Sequence, residues 1–346
     1  MATKTQKSVS ITDVAKAAKV SVSTVSRALH NNPVVNPDTK KQVRRAASEL
    51  GFTLSARRPG PKPGRPSRKK SLAFLYFLNR EHARDDLSLN YMALKHGIEM
   101  GGRSDGLTVS SHLIGTDTEL SEEIEHGMFS GFILLGSRPH ASLENYLKNR
   151  ACCWVMNNPW TPTWGDHLMP DHHEAGATAA EYLINHGCKA PVMVTLGHPD
   201  RVSALREEGF SYAAAKHGVE ACSLLAQNSP VVYSSYPGPY YVDEVIDRFK
   251  KMGWPADGIF FDSDLSLSIL YPIMLREKII RSGKTILIGC NNQQTYLKGI
   301  KPHPATMDIH IDQIGQMGVS QLLWRLKNPH FQRTRTLLSP KLISLR

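Results

Sequence analysis

The chain has 346 residues, enough for two or three separate cores, and a formal net charge of +11 at pH 7. Residues 1–70 hold 16 Lys+Arg against 3 Asp+Glu, and the remainder 26 against 28, so all of the basic excess sits in one compact head. This suits contact with a phosphate backbone and speaks against general stickiness. An odd set of five cysteines, mostly within apolar runs and with no CxxC or Cys/His spacing that resembles a zinc site, argues for buried thiols in a reducing compartment rather than a disulfide frame.

Residues 10–55 read as three short helices. In the first, Ile11, Val14, Ala15 and Ala18 fall on one face, with Thr12 and Asp13 as capping candidates at its start. Lys19–Val20–Ser21 makes a turn. The second helix runs from Val22 to Leu29, with Val25 and Leu29 inward and Val22, Ser23, Ser26 and Arg27 outward. Asn36 is the N-cap of a third helix with Pro37 at its first position; Val43, Ala46, Ala47 and Leu50 pack back, and Gly51 ends it.

A short second helix held across a first can enter the major groove with its N-terminal side chains at base edges. The small Val22 and Ser23 allow close approach, and Arg27 can donate two hydrogen bonds to a guanine. Ser21, Thr24 and the helix ends at Thr12 and Asn36 suit phosphate oxygens, which position the protein without specifying sequence. The bland reading is a mere helical bundle; turn chemistry, caps and charge together argue against it.

Residues 56–70, ARRPGPKPGRPSRKK, cannot hold a helix, because Pro59, Pro61, Pro63 and Pro66 each remove a donor. From Ser71 onward, strand candidates at Leu72–Leu78, Leu107–Ile114, Gly131–Leu135, Cys152–Asn157, Val192–Gly197, Pro230–Ser234, Gly258–Phe261 and Thr285–Cys290 alternate with helical patterns such as Glu174–His186, Val202–His217 and Val242–Met252. Apolar strands separated by helices predict parallel sheet covered on both faces. About ten such units exceed one ordinary sheet, which predicts two α/β lobes; no internal repeat is visible. The domains expected are 1–55 for the helical head, 56–70 for a basic linker and 71–346 for the two-lobed body. MATKTQKSVS has no apolar leader segment, and no run reaches the roughly 18 apolar residues of a membrane span, so a soluble cytoplasmic protein with no membrane partner is expected.

The segment from Ile11 to Phe52, and above all Val20–Ser21–Val22–Ser23–Thr24–Val25–Ser26–Arg27, resembles the head of the LacI-type (lactose/galactose repressor) family. The resemblance continues through Pro170–Asp171 to Gly176, His186–Gly187 and Arg206–Glu207–Glu208–Gly209–Phe210. It implies an all-α helix-turn-helix head plus an α/β periplasmic-binding-protein-like body of two doubly wound lobes, a homodimer on a palindromic operator, and repression of carbohydrate-related genes. A small effector would sit between the lobes, with no cofactor.

The chain departs from that family's pattern in two places. Phe52–Thr53–Leu54–Ser55 lacks the usual tyrosine-x-Pro-Asn stretch, and prolines occupy the place of a helical hinge. Gly64–Arg65–Pro66, after Pro63 and flanked by Lys62, Arg68, Lys69 and Lys70, resembles an AT-hook instead. Gly64 would let the backbone reach the floor of a narrow A·T minor groove, Arg65 would enter it, and Pro66 would keep the chain extended. A solvated basic tether is the alternative.

Effector contacts should follow strands, since ligands of two-lobe α/β proteins sit at carboxyl strand ends. The candidates are Asn157 and its neighbour Asn158, Arg206, Tyr236, Asp262, Asp264 and Asn291 with Asn292: hydrogen-bonding edges and an aromatic plate for a sugar-like ligand. The resemblance implies Arg206, Tyr236 and Asn291 in particular, and it usually carries an Asp-Asp pair where Asn291–Asn292 stands. That exchange leaves two readings open, a neutral ligand or an unresponsive cleft. His172–His173 beside Asp171 reads as a solvated loop rather than a metal site. Asp262–Ser263–Asp264 lacks the spacing of a calcium loop, and Gly283–Lys284–Thr285 lacks the P-loop glycine, since position 278 is Lys. No GxSxG, HExxH or GxGxxG pattern supports a rival reading as an enzyme with a DNA-binding head, and the absent leader segment counts against a secreted binding protein.

Overall fold

A computed structural model describes residues 9–30, 32–50, 52, 71–78, 89–156, 162–196, 201–225, 239–252 and 256–344. Two compact units divide the chain, Met1–Arg68 and Lys69–Arg346.

In the first unit, helices α1 (Ile11–Ala17), α2 (Val22–Leu29) and α3 (Pro37–Glu49) enclose a small core of Val14, Ala15, Ala18, Val25, Ala28, Val35, Val43, Ala46 and Ala47. The cap of α1 differs from expectation. Ser10 is the N-cap, in a reciprocal capping box with Asp13, and Thr12 lies exposed inside the helix. Asn36 caps α3 by accepting the Asp38 N–H at 2.9 Å. Leu50 is 38% exposed rather than packed, because it is the C-cap of α3 and its side chain leaves the inward face. Lys19 turns the chain between α1 and α2 at φ +50°, a left-handed conformation that costs a non-glycine residue about 1 kcal/mol. Gln42 of α3 closes the bundle by donating to the Ala18 carbonyl at 3.1 Å.

The second unit contains β1 (Ser71–Leu78), α4 (Leu89–Ser104), β2 (Thr108–Gly115), α5 (Glu122–His126), β3 (Phe129–Gly136), α6 (Ala141–Lys148), β4 (Cys152–Val155), β5 (Asp166–Pro170), α7 (His172–Asn185), β6 (Val192–Thr195), α8 (Arg201–Lys216), β7 (Cys222–Leu225), α9 (Pro239–Met252), β8 (Gly258–Phe261), α10 (Asp264–Arg276), β9 (Ile286–Cys290), α11 (Gln294–Leu297), β10 (Ala305–Asp308), α12 (Ile311–Lys327), β11 (Arg335–Leu338) and β12 (Lys341–Ile343). They form two six-stranded sheets, ordered β2-β1-β3-β4-β5-β11 and β7-β6-β8-β9-β10-β12. Every pairing is parallel except β10 with β12. Each sheet is therefore doubly wound in the same order, with its switch point beside its first strand.

The chain passes between the lobes after β5, after β10 and after β11. Helix α12 follows a strand of the second lobe yet packs on α4, β3, β4 and β5 of the first. Five strands lie outside the expected set: β5, β7, β10, β11 and β12. Asp166 explains one of these. Its buried carboxylate begins β5 and is gripped by Arg325 at 2.6 and 2.8 Å, by Gln321, and by the Thr334 N–H. Burial pushes its pKa up, but the Arg325 hydrogen bonds outweigh that and hold it below the usual range. The expected strand Pro230–Ser234 lies outside the described residues.

Helices α7 and α8 meet backbone to backbone. A methyl at Gly176 would overlap the Arg206 carbonyl, and one at Gly209 would overlap the His173 carbonyl. This approach seats Phe210 against Phe260 with ring centroids 5.8 Å apart. Gly176→Ala and Gly209→Ala should therefore each lower stability by about 1–3 kcal/mol in urea unfolding. Gly299→Ala, where an added methyl meets nothing within 4 Å, should change it by less than about 0.5 kcal/mol.

Candidate functional site

Two places in the molecule concentrate sequence-predicted site residues. The first is α2. Its N-cap Ser21 accepts the Thr24 N–H at 3.1 Å, and the hydroxyls of Ser21, Ser23 and Thr24 interlock at 2.8 Å. Ser21, Val22, Ser23 and Arg27 are exposed, Thr24 and Ser26 half-buried, and Val25 and Ala28 face the core. Val22, an aliphatic side chain left 43% exposed on a tiny domain, has no packing role to explain it. The helix thus presents a short apolar and hydroxylic tip backed by a guanidinium, dimensions that fit a major groove. Asn36 is committed to capping α3, and exposed Thr12 stands in the first turn of α1.

The second place lies at the carboxyl ends of the second lobe's strands. Of six non-glycine residues with positive φ among the described residues, four lie within two residues of a strand end there or in the other sheet: Met156 after β4, Asn291 and Asn292 after β9, and His310 after β10. Left-handed backbone tends to gather where function overrides local preference, and Asn tolerates it best.

Arg206, 5% exposed, is the centre of this region. Its Nε donates to His172 Nδ1 at 3.2 Å, Nη1 donates to the Asp262 carbonyl, and Nη2 reaches Asn291 Oδ1 at 3.5 Å. His172 is correspondingly neutral, its pKa held well below the ordinary value by burial and then by the Arg206 charge. The expectation that His172 stands in a solvated loop is corrected: it is buried in the first turn of α7, where the Gly176 contact draws it against α8.

Asn291, Asn292 and Gln293 form a turn whose side chains go three different ways. Asn291 meets Arg206. Asn292 Nδ2 donates to Asp308 Oδ2 at 3.0 Å, at the passage from β10 to α12. Gln293 Nε2 donates to Asn90 Oδ1 at 2.5 Å, reaching α4 of the first lobe. Asp264 supports the turn from below: fully buried, it accepts the Gln293 N–H at 2.6 Å and the Thr306 hydroxyl at 2.8 Å. Burial pushes its pKa up to about 7, against those two hydrogen bonds.

Arg206, Asn291 and Asp262 are therefore brought together, the last through its main chain, and Asp264 is set beneath them. Asn157, Asn158, Tyr236 and the segment Gly64–Arg65–Pro66 lie outside the described residues. His172, Asn90, Gln293, Thr306 and Asp308 were missed; only His172, two residues past a strand, carried a local signal. Among the described residues no group of three or more His, Cys, Asp or Glu side chains could hold a metal, and no helix is long and apolar enough to cross a membrane. All five cysteines are unpaired, four of them buried.

A helix-turn-helix unit joined to two doubly wound lobes of equal strand order defines a DNA-binding transcription regulator with a periplasmic-binding-protein-like body. Residues 10–55 match the family model for bacterial regulatory proteins of the lacI family, and residues 180–344 match that for a periplasmic binding protein-like domain. The chain is 30% identical over 326 residues to the HTH-type transcriptional regulator GalR of Lacticaseibacillus casei, covering 92% of this chain and 93% of that one. It belongs to the lacI family. Two solved structures share its fold with a TM-score of 0.60: the transcriptional regulator CelR in complex with cellobiose, at 18% identity over 97% of this chain and 98% of the other, and the lac repressor dimer bound to operator and an anti-inducer, at 15% identity over 98% of each.

Asn292 explains part of the chain's departure from an Asp-Asp pair. A carboxylate at 292 would face Asp308 at hydrogen-bonding distance. Asn292→Asp should lower the melting temperature at pH 7.5, by about 1 kcal/mol of stability, through like-charge repulsion. The deficit should shrink towards pH 4, where the new pair takes up a proton; an equal deficit at both pH values would refute this account.

Proposed function

We propose that this regulator represses carbohydrate-related genes as a cytoplasmic homodimer on a palindromic operator, and that a small polyhydroxyl effector between its lobes modulates it. Each α2 would lie in one major-groove half-site, with half-site centres about 10 bp apart. The observation that carries the effector reading is Arg206. Among the described residues three of its five N–H donors are occupied, which leaves two for a ligand at a buried strand-end position. Asn291 adds a neutral amide beside it, and Thr195 Oγ1 at the end of β6 is buried without a partner among the described residues. A ligand here would meet a guanidinium, amides and hydroxyls, the chemistry of sugar recognition. Asp264, buried with both carboxylate oxygens engaged, would shape the turn rather than touch the ligand. That the relatives of similar fold include a cellobiose complex and an operator complex agrees with this reading.

A second reading has its own support. The Gln293–Asn90 hydrogen bond joins the lobes without a ligand, as a constitutive DNA-binding regulator would require. A melting screen against neutral sugars, combined with operator titration, separates the two. Under the first reading one sugar raises the melting temperature and shifts operator affinity at least fivefold, and Asn291→Ala weakens both effects. No shift with any sugar, together with Arg206→Ala protein that binds operator as the parent does, would establish the constitutive reading.

The basic linker is proposed to act as a minor-groove hook through Arg65. Arg65→Ala should weaken binding to operators with A·T-rich centres about tenfold, and to G·C-rich centres distinctly less. Equal losses would make it a tether.

A further inference from the structure

At the end of the second lobe opposite the strand ends just described lies a pocket of about 190 Å³, formed where β9 and β10 begin. Four basic side chains line it: His186 from the end of α7, Arg281 from the loop before β9, and Lys301 and His303 from the loop before β10. Among the described residues no acidic side chain lines it, and neither Arg281 nor Lys301 makes an ion pair. In a unit whose charges nearly balance, a concavity whose charged side chains, Arg281 and Lys301, are both cationic is an exception that packing does not require.

The exposed rim adds donors of the right kind. Arg281 to Thr285 form a tight turn in which the Lys284 and Thr285 N–H groups donate to the Arg281 carbonyl, and Gly283 sits at φ +74°. The N–H groups of Ser282 and Gly283 have no acceptor among the described residues, and both residues line the pocket. The Ser282 hydroxyl donates to the Lys301 carbonyl at 3.1 Å, as does the Tyr271 hydroxyl at 2.8 Å, and these bonds tie the two basic loops together. The Tyr182 and Ser344 hydroxyls lie 3.3 Å apart on the far wall. Solvent-facing main-chain amides without a protein acceptor, beside guanidinium and ammonium groups, make a receptor for tetrahedral oxyanions, which accept several donors at once.

We propose that this pocket binds a phosphate group, as free phosphate or as the monoester of a small metabolite. Its volume lies below the roughly 300–1,000 Å³ of sites for drug-sized ligands, so the phosphate must be most of what is buried, with any attached carbon skeleton at the open mouth. Arg281 and Lys301 supply the charge, and the Ser282 and Gly283 amides the directional donors. The five residues of β9 separate this pocket from Asn291, about 16 Å along the strand, so it is distinct from the cleft.

The test is thermal melting and calorimetry of the full chain with inorganic phosphate, glucose 6-phosphate or glucose, each at ionic strength matched with sodium chloride. Inorganic phosphate should give a saturable shift, glucose 6-phosphate an equal or larger one, and glucose none through this site. Arg281→Gln and Lys301→Gln, at exposed side chains, should melt as the parent does without ligand and bind phosphate at least tenfold more weakly. Asn291→Ala should retain the phosphate shift, so failure here and failure of the cleft reading are distinguishable. A response that sodium chloride reproduces, that survives in the double variant, or that Asn291→Ala alone abolishes would overturn the proposal. So would a shift that depends on protein concentration, the mark of a second copy covering the pocket.

Discussion

The contact between α7 and α8 holds the body's polar centre in place. Two helices can touch main chain to main chain only where both lack Cβ atoms, and Gly176 and Gly209 meet that requirement on opposite sides of the crossing. The consequence runs along the inward stripe of α8, where Arg206, Gly209, Phe210 and Ala213 are all buried. Phe210 fills the core between helix and sheet, while Arg206 at the amino-terminal end of the same stripe emerges where the strands stop. A buried guanidinium would be prohibitively unstable without acceptors. His172, drawn in by the crossing, the Asp262 carbonyl and Asn291 supply them. Loosening the helix contact would cost apolar packing and strand the guanidinium together, so core stability and site geometry are one property here.

Much of the architecture was legible because the central strands of both sheets are covered, although the edge strands β2, β11 and β12 are largely exposed. The near-continuous apolar runs of β1, β3, β4, β6, β8 and β9 stand out for that reason. The strands that escaped notice carry polar residues whose reason lies far away in the chain. Asp166 in β5 is matched by Arg325, 159 residues on, and Thr306 in β10 by Asp264, 42 residues back. No local pattern encodes such pairs. The equal winding of the two lobes was invisible for a related cause: strand order depends on which apolar faces meet, and many unrelated apolar sequences satisfy the same order. In the head, hydroxyl and amide caps at known spacing marked the helices to within a residue, and the error at Thr12 arose because Ser10 forms a better reciprocal box with Asp13.

Site residues followed the same division. Asp262 and Asn291 could be picked out as candidates because strand ends are readable, and Arg206 through the resemblance and its place on a helix after a strand. Asn90 and Asp308 were not, since each matters only through a side chain of the turn after β9. The two asparagines of that turn have backbone reasons as well as chemical ones. Both sit at positive φ, +96° and +54°, where Asn is among the few tolerated side chains. At 292 the amide donates to Asp308, a bond that a carboxylate could not make without a shared proton. Removing charge from this pair is therefore compatible with an intact site: the neutral turn is stabilised by the residues that surround it.

The turn Asn291–Asn292–Gln293 also sets a scale for regulation. Its three side chains touch Arg206 in the second lobe, Asp308 at a passage between lobes, and Asn90 in the first lobe. A ligand can bias the arrangement of two lobes only by its differential affinity for the alternatives. One that competes for Asn291 acts on a turn whose Gln293 contact spans the lobes, while its Asn292 contact stays within the second lobe. Each neutral hydrogen bond contributes a net of about 0.5–1.5 kcal/mol. Making or breaking the one that spans the lobes shifts the balance by about 0.5–1.5 kcal/mol, which reaches the lower end of ordinary allosteric coupling free energies. Local rearrangement of this turn is therefore sufficient in magnitude for a weakly coupled sensor, and neither large rigid-body strain nor a chain of relayed contacts through the sheets is required.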